Sequence, residues 1–233
     1  MRLEVKLEIW VRTALSVGSG GTPPGMGIDK AAVRDKEGHL VIPASSIKGK
    51  VRSECERLLR GIDPDLVCCP PRAEQMCPHF ELPSEREKPI YQREVCPCCR
   101  LFGTNGRKAA LLFSDARQER PARLKGVDSQ VRPGVSISRR RRTAEDERLY
   151  FVETSIPRAG FCFVGKIMGE VGARREAALL LASIRSVVAL GGGRSRGLGW
   201  IGTNLNQDEE EVYLDGSRVT VRELLGHIGE WRP

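Results

Sequence analysis

The chain has 233 residues, 40% of them hydrophobic and 29% charged, with a net charge of +8, the make-up of a soluble globular protein long enough to bury a core. Phe, Trp and Tyr number 6, 3 and 3, too few for a broad aromatic stacking surface. The most apolar stretch, residues 177–190, is too short for a membrane span and contains Arg185, so a membrane role is excluded and a cytoplasmic location is expected.

Residues 2–12 alternate, with Leu3, Val5, Leu7, Ile9 and Val11 on one face, which predicts a strand half-buried against a core. Residues 16–27 are rich in Gly, Ser and Pro and read as a loop. An extended piece at 31–34 leads through a Lys36-Glu37-Gly38 turn to residues 40–43. A helix capped by Ser45 or Ser46 is then expected to reach Arg60, because Ile47, Val51, Cys55, Leu58 and Leu59 form a helical stripe. Residues 61–100 lack periodicity. They hold six of the eight cysteines and read as an insertion organised by something other than a core.

A short buried strand is expected at 110–113, ended by Ser114-Asp115. The segment 117–142 carries nearly all the excess charge: Arg117, Arg120, Arg123, Lys125, Arg132 and Arg139 to Arg142 stand against Glu119 and Asp128. Broken by Pro121, Gly126, Pro133 and Gly134, it reads as a long exposed loop or hairpin. A field of this kind suits a polyanion, since neutralised phosphates release counterions; a solvated arm is the plainer reading. Two strands follow, 149–154 and 160–168, meeting near Pro157. A second helix is expected from Ala173 to Leu190, stopping at Gly191, then a strand at 198–203, an acidic run at 208–211 and a short helix within 219–228. The order of elements suits an α+β domain of ferredoxin-like type with large insertions.

Two constellations read as phosphate contacts. In Ile42 to Arg52 a helix N-terminus offers free N–H groups, and Ser45, Ser46, Lys48, Lys50 and Arg52 add donors; a capped helix with a cationic face reads equally well. In Leu190 to Trp200 five glycines flank Arg194 and Arg196, allowing close backbone approach and bidentate contacts. This loop follows a helix and lacks a Lys-Ser/Thr ending, so it is not a nucleotide P-loop.

The cysteines Cys68, Cys69, Cys77, Cys96, Cys98 and Cys99, with His79 alongside, point to a metal. Cys96 and Cys99 form a C-x2-C knuckle. Adding Cys77 and Cys69 gives the ligand set Cys69, Cys77, Cys96 and Cys99, with Cys68 or His79 as substitutes. Four sulfurs would close the site around a structural Zn2+.

Together, Ser45-Ser46-Ile47-Lys48-Gly49, Cys99-Arg100-Leu101-Phe102-Gly103 and the Gly192 to Gly199 loop resemble the signature elements of the RAMP superfamily. In order and spacing they are similar to the repeated backbone subunit of type III CRISPR complexes. Ala44 and Ile47 depart from that pattern, where glycine and leucine are common. The resemblance implies a modified RNA-recognition-motif-like domain over residues 1–233, carrying a cysteine-rich zinc-binding insertion at 61–100 and a β-hairpin thumb at 116–148. It implies copies stacked along a CRISPR guide RNA beside other effector subunits, with the thumb between guide and complementary target RNA. Arg132, Arg139, Arg140 and Arg141 would then clamp RNA.

Asp29 sits in Gly25-Met26-Gly27-Ile28-Asp29-Lys30. By its residues alone it is a turn aspartate bonding its own backbone. The resemblance implies the acid that cuts target RNA, with a divalent cation (Mg2+ or Mn2+). Asp35 competes for the role but precedes a turn. A non-catalytic scaffold is the alternative, and a precursor-RNA processing nuclease a further one, for which His39, His79 and His227 are poorly placed.

Overall fold

The computed structural model describes residues 1–18, 27–82, 84, 89, 94–119, 128–156, 161–206 and 211–231. Several positions singled out above lie outside these residues: Gly25, Met26, Arg120, Pro121, Arg123, Lys125, Gly126, Pro157, Gly160 and 208–210.

The first strand, β1 (Arg2–Val11), buries its odd residues and turns its even ones outward, as its alternation requires. A two-residue strand β2 (Val41–Ile42) leads into α1 (Ala44–Ile62), whose stripe Ile47, Val51, Cys55 and Leu59 is buried. After the cysteine-rich stretch, α2 (Pro97–Phe102) precedes β3 (Leu111–Phe113) and β4 (Ala116–Glu119). Next come β5 (Ser129–Ile137), β6 (Ala144–Ser155), β7 (Cys162–Glu170) and α3 (Arg174–Arg185). The chain closes with β8 (Ile201–Thr203), β9 (Val212–Leu214), β10 (Ser217–Arg218) and α4 (Val221–Leu225).

The main sheet runs β10-β9-β1-β7-β4-β2, with β3 also on β7 and β8 also on β1, every pairing antiparallel. Taking β1, α1, β3, β7, α3 and β8 in sequence, with β8, β1, β7 and β3 side by side, gives the expected ferredoxin-like α+β arrangement. The helices α1 and α3 pack together over the face that buries Leu3, Leu7, Ile9, Phe163 and Ile167. Each such aliphatic or aromatic side chain contributes about 1.5–3 kcal/mol when fully buried.

The basic segment divides. Ala116–Glu119 is a strand of the main sheet, while β5 and β6 form a separate hairpin, with an isolated bridge from Val152 of β6 to Lys30. Pro133 is tolerated within β5 because β5 pairs on one side only, and an edge strand can accommodate a residue without an N–H.

Two local expectations change. The helix α3 stops at Arg185, five residues short of Leu190, because residues 187–190 turn back against the strand after the Gly-rich loop. There Ile201 N–H bonds Val188 O at 3.0 Å and Leu190 N–H bonds Gly199 O at 2.9 Å. Neither Ser45 nor Ser46 caps α1, whose N-cap is Pro43. The Asp115 carboxylate, across the β3–β4 turn, accepts the Ala44 N–H at 2.7 Å instead.

Candidate nucleic-acid interface and metal centre

Residues 14–16, just beyond β1, hold two distant elements side by side. Leu15 N–H bonds the Ser155 hydroxyl at 2.9 Å and Leu15 O accepts Ser155 N–H at 2.8 Å, fastening the hairpin base. Ala14 O and Ser16 O accept Gly199 N–H and Gly192 N–H at 2.9 and 2.8 Å, fastening the Gly-rich loop. At Gly199, φ is +76° and a Cβ would fall 1.9 Å from Leu190 O. This glycine therefore serves the chain's own backbone, where close approach to a ligand was expected.

Between these two elements lies a groove of about 370 Å³ lined by Lys30, Arg132, Tyr150, Gly192, Gly193 and Arg196, among others. Arg196 reaches across it, donating from Nη1 to the Tyr150 hydroxyl at 2.7 Å. Lys30 enters because its segment is stitched to β6: Glu153 N–H bonds Lys30 O at 2.9 Å. Lys30 and Tyr150 escaped the sequence reading. Lys30 stands beside Asp29, and Tyr150 lies in the predicted strand, but nothing local marks either as facing the Gly-rich loop.

Asp29 is exposed at the edge of this arrangement. Its N–H bonds Phe151 O at 3.0 Å, and its Oδ2 accepts Phe151 N–H at 2.6 Å. Nearby, Arg34 donates to Glu153 at 2.6 Å and to the Ser129 hydroxyl at 2.7 Å, and pairs with Asp128 at 3.3 Å. The hairpin base is thus tied by charge-assisted bonds as well as by backbone. Asp35 accepts the His39 N–H at 2.8 Å and the Glu37 N–H at 3.1 Å, a turn role.

The distal hairpin places Arg139, Arg140 and Arg141 in an exposed turn. Register shifts there between Val135 and Ile137, so β6 bulges, and the same end of the hairpin carries Glu145, Asp146, Glu147 and Arg148 beside the arginines. Those acids moderate the field that the arginines create. Arg194 is exposed in the Gly-rich loop but does not line the groove.

The α1 start does not join the groove either. Ser45 is exposed and Ser46 and Lys48 half-buried, near the Asp115 carboxylate, which already occupies the helix end and would repel a phosphate. Two further expected RNA contacts, Lys50 and Arg52, have partners within the protein. Lys50 bonds Glu54 at 2.6 Å, and Arg52 is engaged by Glu56, Gly103 and Cys99. Both cations are committed within the protein.

The Sγ atoms of Cys68, Cys77, Cys96 and Cys99, all buried, lie within 4.8 Å of one another, a group positioned to bind a metal ion. Cys68 Sγ is 3.6 Å from Cys99 Sγ and 3.7 Å from Cys96 Sγ. Tetrahedral thiolates about 2.3 Å from a zinc ion sit about 3.8 Å apart, so the donor set fits. Backbone N–H groups of Cys96 and Cys99 donate to Cys77 Sγ at 3.3 Å and Cys96 Sγ at 3.4 Å, holding the knuckle. The fourth cysteine of the group is Cys68 and not Cys69. Cys69 is exposed, and its N–H is tied to Gln75 O at 2.8 Å. In a backbone this extended, adjacent residues point to opposite sides, and local sequence cannot say which side holds the ion. Cys98 packs beside Glu56 and His79 is exposed, both outside the group.

These four sulfurs also explain Cys99-Arg100-Leu101-Phe102-Gly103. Cys99 belongs to the cysteine group, Arg100 pairs with Glu176 at 2.9 Å, and Leu101 and Phe102 enter the core. Among the described residues no helix is long and apolar enough to cross a membrane.

The family model of the RAMP superfamily matches residues 8–202, a span that runs from β1 to β8 and includes the groove, the hairpin and the cysteine cluster. No curated protein matches the chain.

Proposed function

Since the chain belongs to the RAMP superfamily, a family of CRISPR-associated RNA-binding proteins, we propose that it is a guide-RNA-binding backbone subunit of a type III CRISPR effector complex. The observation that carries this reading is the groove. It gathers Lys30, Arg132 and Arg196 from three separate segments around Gly192, Gly193 and Tyr150. Cations set along a groove track a ribose-phosphate strand without reading its bases. In this reading other copies of the chain and other effector subunits extend the track, and the hairpin lies between guide and complementary target RNA. The four thiolates take Zn2+, which has a closed, structural coordination there.

In the same reading Asp29 serves cleavage of target RNA. A target 2′-hydroxyl attacks the adjacent phosphorus in line as the bond to the 5′-oxygen breaks, leaving a 2′,3′-cyclic phosphate and a 5′-hydroxyl that takes its proton from water. The Asp29 carboxylate accepts the 2′-hydroxyl proton or helps to hold a divalent cation such as Mg2+ or Mn2+. Among the described residues, the group of three or more metal-ligating side chains is the cysteine cluster, so an ion at Asp29 would draw its remaining ligands from RNA and water. The bond from Phe151 N–H to Asp29 Oδ2 favours a second reading, in which Asp29 docks the hairpin and the subunit is a non-catalytic scaffold. Asp29→Asn separates them: an amide oxygen can still accept the Phe151 N–H but cannot serve as base. Target cutting lost in complexes that still assemble supports catalysis, and undiminished cutting leaves the scaffold.

Histidine-based processing of precursor RNA finds no support. His39 pairs with Asp35, His227 with Glu230, and His79 lies on the cysteine-rich insertion. The class as a whole is tested by co-purification and nucleic-acid extraction. Bound RNA of uniform length with repeat-derived sequence is expected, and protein free of RNA under low salt would overturn it.

A further inference from the structure

Arg52 projects from the middle of α1 into the cysteine-rich insertion, with only 29% of its side chain exposed. Each part of its guanidinium has a partner. Nε donates to Glu56 Oε1 at 3.1 Å, Nη1 to the Gly103 carbonyl at 3.0 Å, and Nη2 points to Cys99 Sγ at 3.6 Å. The Gly103 carbonyl takes its direction from a backbone at φ +85°, where a Cβ would lie 2.9 Å from Ala109 N. Helix α1, the end of α2 and one sulfur of the metal group therefore meet at a single side chain.

A divalent ion held by four thiolates carries a net charge of about −2, and burying such a charge is costly without a compensating cation. Among the contacts of the four sulfurs, Arg52 brings a full positive charge, and its planar fork holds a carbonyl and a sulfur in a fixed geometry that a rotating ammonium does not reproduce. Glu56 fixes the fork from the far side. We infer that Arg52 is the outer-sphere residue of the metal centre: it offsets the tetrathiolate charge, orients Cys99 and locks the centre to α1. This assignment rests on the metal reading of Cys68, Cys77, Cys96 and Cys99 and removes Arg52 from the RNA-contacting set.

The test uses the full chain loaded with zinc, Arg52→Met, Arg52→Lys, and competition against a chromophoric zinc chelator. Loss of an outer-sphere partner typically lowers metal affinity 10–100-fold. Arg52→Met should fall by that factor and Arg52→Lys by less, since the ammonium keeps the charge but not the fork geometry. With Co2+ in place of zinc, the sulfur-to-metal charge-transfer band should shift in Arg52→Met. RNA affinity at saturating zinc should stay unchanged. Should Arg52→Met fail to fold, Arg52→Lys carries the comparison alone. Wild-type zinc affinity in the folded variants, or weakened RNA binding with zinc retention intact, overturns the inference. A wild-type chain that takes up no zinc overturns the metal reading beneath it, an outcome distinguishable from the other two.

Discussion

Asp29 and Phe151 exchange two hydrogen bonds across 122 positions of sequence: Asp29 N–H to Phe151 O at 3.0 Å, and Phe151 N–H to the Asp29 carboxylate at 2.6 Å. The acid singled out by its glycine-flanked loop is thus a clasp on the edge of β6, whatever else it does. Asp29→Ala should destabilise the fold by about 1 kcal/mol, whereas Asp29→Asn should cost less because an acceptor remains. Urea unfolding measures the difference. Equal stability of all three proteins would show that the clasp contributes nothing.

The metal centre makes a sharp distinction between neighbours. Cys68→Ser should abolish stoichiometric zinc, while Cys69→Ser should leave it bound, as read by elemental analysis of the purified variants. Stripping the ion with a strong chelator should lower the melting temperature of the wild type and of Cys69→Ser, and leave Cys68→Ser unmoved.

RNA affinity should separate the groove cations from the paired ones. Arg196→Ala and Arg132→Ala should each weaken binding similarly across sequences and reduce the salt slope of log K by about 1. Lys50→Ala, whose ammonium already serves Glu54, should leave both unchanged. A slope that Lys50→Ala alters and Arg196→Ala does not would displace the groove.

Hairpin docking should be acid-sensitive. Burial would push the Glu153 carboxyl up, but hydrogen bonds from Ser129, Arg34 and the Ala32 N–H outweigh it and hold the pKa below the usual carboxylate range. A group depressed on folding stabilises above its unfolded pKa and loses that contribution as pH falls through the folded value. Hydrogen exchange across 129–155, corrected for intrinsic rates, should show protection constant near neutrality and falling only below the usual glutamate range. Glu153→Gln should reduce protection at neutral pH.

Within the Gly-rich loop, position decides the cost of a methyl group. Gly199→Ala meets Leu190 O and should cost several kcal/mol or prevent folding. Gly197→Ala has the same positive φ but open space, so only about 1 kcal/mol is expected. Thermal unfolding of the pair checks the ranking.

Features that repeat locally were legible from the residues themselves: β1 from its alternation, the buried stripe of α1, and the knuckle Cys96 and Cys99 from its spacing; the bounds of the hairpin were not, since Pro133 and Gly134, read as breakers, lie within β5. Each depends on side-chain direction along one element, which a period of 2 or 3.6 encodes. What tertiary structure decided was partnership over long separations. It brought Cys68 and not Cys69 into the cysteine group, gave Lys50 and Arg52 the partners Glu54, Glu56, Gly103 and Cys99, placed Asp115 on the α1 terminus, and ended α3 at Arg185 so that Leu190 could meet Gly199. A charge or sulfur has no period to show whether it is already satisfied. That depends on which distant group the fold sets within about 3 Å of it, where hydrogen bonds form.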